Sequence, residues 1–289
     1  MSGGNSANAA NAARARTTLR PSGAVAEIAP DPVLTGSFTL SIGGTVQSHV
    51  APADPGLLFY DYVRRVGNAI DRLRLPGEPI VALHLGAGAL TLARYVEATR
   101  PGSEQHVVEI EESLVPFVRD VLPLPPSIRL TEHPGDAAAR VRDLAPALAE
   151  RCDLVVSDLY RGLSTPAHLR TTDFFRDIAR LLAPDGVLAV NVADDDGLPA
   201  LRAQLEQLHP VFPHTLVLGT QSVLVHERAG NAVVLASLSP AIDGWADALR
   251  SAGPHPGSVV SGSALSARAL GADNGRDERT VPACADDSP

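Results

Sequence analysis

Residues 79–90 read PIVALHLGAGAL, and the way this stretch is built decides the fold. Pro79 to Leu85 is short and almost continuously apolar. That pattern fits a strand covered on both faces rather than one with a wet side. Gly86-Ala87-Gly88 follows at once, and helical spacing then runs to about Thr99. A strand, a turn with two glycines and a helix form the first half of a βα unit. Glycines there let the backbone come close to a ligand, and the N-terminus of the helix favours a negative or polar group. The spacing is only G-x-G, with Leu90 where a third glycine could stand. A plain tight turn would need the same residues.

Reading outward, the alternation repeats. Strands are expected at Gln105 to Ile110, Ser127 to Thr131, Asp153 to Ser157 and Gly186 to Val192. Helices are expected after Leu114, over Ala137 to Ala149, Thr172 to Leu182 and Leu198 to Leu208. Two late strands, Thr215 to Leu218 and Ala232 to Ser237, flank a Gly230-Asn231 turn. Strands alternating with helices predict an α/β fold, a doubly wound and mostly parallel sheet with helices on both faces. The closing antiparallel pair is the variant found in methyltransferases. Upstream, Ser37 to Ile42 and Thr45 to Val50 around Gly43-Gly44 read as a β-hairpin. Leu57 to Leu75 has one apolar stripe through Leu58, Tyr62, Val66, Ile70 and Leu73, as a helix would. The expected organisation is therefore a disordered tail over 1–30, a hairpin region over 31–52, a nucleoside-binding catalytic domain over 53–252 and a second disordered tail over 253–289. The tails are read from their Ala, Asn, Ser, Gly and Pro content.

Four places could carry chemistry. The first is the Gly86 and Gly88 turn. The second is Glu109, at the tip of the second strand and about 20 residues past the glycines, where a carboxylate can accept both hydroxyls of a ribose. Glu111 and Glu112 fit better as solvated acids at a helix start. The third is Gly135-Asp136 after the third strand. Asp136 can accept the amino group of an adenine, or cap the helix from Ala137. The fourth is Asp158, which ends the apolar run DLVVSD. Ligands of open α/β sheets lie outside the carboxyl ends of strands, and an acid there suits a general base. A loop-start aspartate satisfying backbone amides is the plainer alternative. Tyr160 and Arg161 share that loop.

Composition excludes several classes. The chain has 289 residues, is 45% hydrophobic and carries a formal net charge of −9. That balance disfavours nucleic acid as a partner. No apolar run approaches the roughly 18 residues that cross a bilayer, so no membrane partner is expected. The two cysteines, Cys152 and Cys284, offer neither metal spacing nor a disulfide framework, and a cytoplasmic location is expected. His84, His106, His133 and His168 show no metal spacing, and His84 reads as a packed core residue. Asp194-Asp195-Asp196 reads as a solvated loop and helix cap. No metal and no permanently bound cofactor are expected.

Taken together, these stretches resemble the spermidine synthase family, the polyamine aminopropyltransferases, from about Gly36 to Ser237. Ile42-Gly43-Gly44-Thr45-Val46-Gln47 is similar to the family's L-x-x-D-G-x-x-Q, and Asp54 and Tyr60 stand near its D-E-x-x-Y. The glycine turn falls at G-G-G-D-G-G, Val108-Glu109-Ile110-Glu111 at V-E-I-D, and residues 153–158 at D-V-I-I-x-D. The resemblance implies a co-substrate that is decarboxylated S-adenosylmethionine or S-adenosylmethionine itself, and an amine acceptor such as putrescine. It implies that Gln47, Gly86, Gly88, Glu109 and Asp136 hold the nucleoside. Asp158 would be the base and Tyr60 would orient the amine. Asp54, Tyr160 and Arg161 would line the acceptor site. Two family acids are replaced, by Ala89 and by Arg161, and Gly162 stands where proline is usual. Both lost acids are expected to hold cationic amines. Methyl transfer from S-adenosylmethionine, or nucleoside binding without catalysis, are the competing expectations. The expected partner is a small-molecule substrate, with a homodimer left open.

Overall fold

The structure is a computed structural model, and it describes residues 14–160 and 165–265. Four strands form an antiparallel N-terminal sheet in the order β1 (Ala15–Thr18), β2 (Val25–Pro30), β3 (Phe38–Ile42) and β4 (Thr45–Val50). The hairpin joining β3 to β4 turns on Gly43 and Gly44, both at positive φ (59° and 83°), as a two-residue hairpin turn demands. β1 and β2 correct the expectation of a disordered tail over 1–30. They are short, and only alternate residues of β2 point inward, so the composition hides them. Ala26 and Ile28 are buried, while Glu27 faces out and pairs with Arg14 and Arg16.

The main sheet has eight strands. Its central part is β5 (Val81–Leu85), β6 (Glu104–Glu109), β7 (Arg129–Pro134), β8 (Cys152–Ser157) and β9 (Leu182–Asp194), all parallel where they pair. β10 (His214–Thr220), β11 (Gly230–Ser237) and β12 (Gly257–Ser261) extend it antiparallel. The spatial order is β12-β10-β11-β9-β8-β5-β6-β7. The order reverses between β5 and β8, and the crevice at such a reversal is where doubly wound sheets bind ligands.

Helices cover both faces. They are α1 (Asp61–Ile70), α2 (Thr91–Thr99), α3 (Leu114–Val121), α4 (Ala137–Leu148), α5 (Thr172–Ala179), α6 (Pro199–Leu208), the short α7 (Gln221–Leu224) and α8 (Ala246–Ala252). Strand periodicity explains the layers. Leu83, Leu85 and Val155 join one core with α4, α5 and α6. Their neighbours Ala82, Leu154 and Val156 point the other way, into a core with α1 and α8. The N-terminal sheet makes a third core through Ile28, Phe38, Leu40 and Val50 against α2 and α3.

Two further expectations are corrected. β10 and β11 pair as predicted, but α7 lies between them and Gly230 opens β11 rather than making a tight turn. The segment 253–265, expected as tail, supplies β12 and the buried Val259 and Leu265, two apolar anchors in a polar stretch. Among the described residues no helix is long and apolar enough to cross a membrane.

Candidate functional site

The loops at the carboxyl ends of β5, β6, β7 and β8 meet. Gly86, just past β5, has φ 95°, and a Cβ there would press into the carbonyl oxygen of Asp158. Gly86 N–H donates to Val108 O at 2.9 Å, and Asp158 N–H donates to Leu85 O at 3.0 Å. The first glycine is thus required by the approach of the Asp158 backbone. Gly88 also lies at positive φ, and a Cβ on it would collide with the Ser48 hydroxyl. That hydroxyl accepts from Ala89 N–H at 3.2 Å, and Thr91 Oγ1 donates to His49 O at 2.9 Å. So β4 is brought to the glycine loop, with the half-buried Gln47 next to Ser48.

Glu109 faces the same loop. Its Oε2 accepts from Ala87 N–H and its Oε1 from Glu111 N–H, each at 2.9 Å. Burial raises its pKa, and the amide hydrogen bonds oppose the rise. Asp136 caps α4, accepting from Ala138 and Ala139 amides at 3.0 and 3.1 Å, and its other oxygen meets His168 Nε2 at 2.8 Å. Burial pushes its pKa up, but His168 and the two amides outweigh that, and the carboxyl lies below its ordinary range. Asp136 is thus the cap of α4 and is also paired with His168.

Asp158 stands across the crevice, between the ends of β8 and β9. Its Oδ1 accepts from Asn191 Nδ2 at 2.8 Å and its Oδ2 from Tyr62 O–H at 3.2 Å. Burial raises its pKa, and the two hydrogen bonds moderate the rise. The hydrogen-bonded tyrosine is not the expected one. Tyr60 precedes α1 and stacks on Tyr62, ring centroids 6.3 Å apart and nearly parallel at 8°. Tyr62, two residues on, reaches the carboxylate. Asn191 was also missed, although a polar residue inside the apolar run LAVNV of β9 is a readable signal.

Other expected residues sit differently. Tyr160 O–H donates to Asn191 O at 3.0 Å and accepts from Ala193 N–H at 2.5 Å, so β9 occupies it. Asp54 lies exposed in the turn before α1, engaged through its backbone to Ala51 and Leu57. Arg161 and Gly162 lie outside the described residues. His84 is a core residue, bonded to Gln105 at 3.0 Å, and burial lowers its pKa to about 4. Asp194 accepts from the Ala200 and Leu201 amides at the start of α6, as a cap. The described residues hold no group of three His, Cys, Asp or Glu side chains arranged for a metal.

A doubly wound sheet with glycine loop, strand-tip acid and crevice acid at one end defines the class: an α/β fold of the S-adenosylmethionine-dependent methyltransferase type. No protein-family model matches the sequence. The polyamine aminopropyltransferase of Chromobacterium violaceum is 27% identical over 210 residues, 71% of this chain and 74% of that protein. A crystal structure described as a probable spermidine synthase from Corynebacterium glutamicum superposes with TM-score 0.78 at 25% identity, covering 96% of this chain and 99% of the other. Human methyltransferase-like protein 13, solved with SAH, shares the fold at TM-score 0.52 and 21% identity, over 66% of this chain and 90% of the other. The chain is thus similar to spermidine synthase-like polyamine aminopropyltransferases, at a divergent level of identity.

Proposed function

We propose that the chain moves an aminopropyl group from decarboxylated S-adenosylmethionine to an amine. Asp158 carries the reading. It is a crevice carboxylate with no described ion-pair partner, pinned by its backbone against the Gly86 loop where a nucleoside would lie. In the reaction the amine nitrogen attacks the propyl carbon bonded to the sulfonium. The C–N bond forms as the C–S bond breaks, and its electron pair returns to sulfur as methylthioadenosine leaves. The proton lost from nitrogen goes to Asp158. A sulfonium is a good leaving group, so holding the two reactants in line supplies much of the rest. Gly86, Gly88, Gln47, Glu109 and Asp136 would hold the nucleoside.

One observation favours a second reading, methyl transfer from S-adenosylmethionine. Ala89 is fully buried and packs into the third core, so the family's acid has no substitute at that point. Calorimetry of the full chain with decarboxylated S-adenosylmethionine, S-adenosylmethionine and methylthioadenosine separates the two. The aminopropyl reading expects the decarboxylated donor to bind at least about tenfold tighter, a difference of about 1.4 kcal/mol. The reverse preference replaces it with methyl transfer.

A further inference from the structure

We infer that Tyr62, with Asn191 and Asn231, is the positioning group that aims the Asp158 carboxylate at the donor loop; this rests on the transfer reading above. Neither tyrosine nor asparagine need touch the substrate. Tyr62 O–H fixes Oδ2 and Asn191 Nδ2 fixes Oδ1. Asn231 Nδ2 in turn donates to Asn191 Oδ1 at 3.0 Å, which decides which end of the Asn191 amide faces the acid. The two donors to the carboxylate come from α1 and β9, and Asn231 on β11, the strand paired with β9, fixes the second of them. Asn191 is buried between Val190 and Val192, and Tyr62 is wedged in its stack with Tyr60.

The chemistry of the partners matters as much as their place. Tyr62 from α1 and Tyr160 from the Asp158 loop are both pushed up in pKa, burial being the largest cause, so both stay neutral. Asp194, at the end of β9, faces Tyr160 and adds no positive charge. Neutral donors orient a carboxylate without neutralising it, whereas an arginine or lysine would make it a poorer base. The arrangement holds the acid still and leaves it able to take a proton.

The test is the pH dependence of kcat/KM for the full chain, Tyr62→Phe and Asn231→Ala, with decarboxylated S-adenosylmethionine and either putrescine or n-butylamine. A base must be ionised, so its pKa sets the acidic limb. Removing a donor to the carboxylate raises that pKa. Tyr62→Phe keeps the stacked ring and should move the limb upward by about one pH unit, from the strength of a hydrogen bond to a charged group. Asn231→Ala, at the exposed start of β11, should move it the same way by less. Methylthioadenosine affinity should stay within about twofold in both variants. A limb that does not move in Tyr62→Phe, with the rate lowered equally at every pH, overturns the inference and leaves the transfer reading standing. A wild-type chain that transfers to neither amine sinks the transfer reading, and this inference with it.

Discussion

On the Glu109 side of the crevice, the carboxylates are held mainly by backbone amides. Glu109 accepts from the amides of Ala87 and Glu111, and Asp136 from those of Ala138 and Ala139, with His168 on its other oxygen. On the Asp158 side the described partners of the carboxylate are side chains, 96 residues away for Tyr62 and 33 for Asn191. The difference has a physical origin. Turns after parallel strands expose backbone N–H groups that carboxylates satisfy, so the Glu109 side is built mainly from backbone. Under the proposed function Asp158 must be oriented yet stay able to take a proton, which neutral donors allow. Here those donors are side chains of other elements, and the Asp158 half exists only once those elements have docked.

The comparison can be broken most sharply at Asp158. Asp158→Asn keeps the shape and removes the proposed base, so kcat should fall by about 10² to 10⁴. Methylthioadenosine affinity should stay within about twofold if the two halves are separate. A full loss of nucleoside binding would show that they are one unit. Gly86→Ala tests the seam between them. The added Cβ meets the Asp158 carbonyl at a left-handed backbone position, so stability should drop by about 1–3 kcal/mol, read as a lower Tm, with both activity and nucleoside affinity reduced.

Glu109→Ala should weaken methylthioadenosine binding by about tenfold, or about 1.4 kcal/mol, by removing charge-assisted partners from the ribose. Its acidic kcat/KM limb should stay where it is. An unchanged affinity in the folded variant removes Glu109 from the site. The smallest effect belongs to Asp136. Its carboxyl pKa is lowered in the fold, so the stability it adds is present near neutrality and is lost as pH falls through the carboxyl range below about 4. Asp136→Ala should lose about 1 kcal/mol of capping at pH 7, and Asp136→Asn less, with both losing less to acid than the parent chain. Denaturant midpoints at pH 7 and pH 3 measure this. A variant as acid-sensitive as the parent would discount the His168 contact.

Much of the fold was legible because the signals were periodic. β5, β8 and β9 are apolar runs, and their bounding turns carry Gly86, Asp158 and Asp194 at the strand ends. β1, β2 and β12 were not legible. They are short strands in polar, alanine-rich or glycine-rich sequence, and their ladder hydrogen bonds are supplied by partners elsewhere: β3 beside β2, and β10 beside β12. The helix stripe read over 57–75 identified Tyr62 only as a packing residue.

The amino-acid order alone determined the parallel α/β core, the crevice end of the sheet, and the local groups there: Gly86, Gly88, Glu109, the cap at Asp136 and the acid at Asp158. Each stands at a strand end or loop start, a position that the local pattern of apolar runs and turns marks in the sequence. Only the tertiary structure decided which tyrosine meets Asp158, that Tyr160 is tied to β9, and that Ser48 of the N-terminal sheet closes on the glycine loop. Those contacts join elements dozens of residues apart. A tyrosine at 60 and one at 62 look alike in sequence, and the direction each ring takes is set by helix docking.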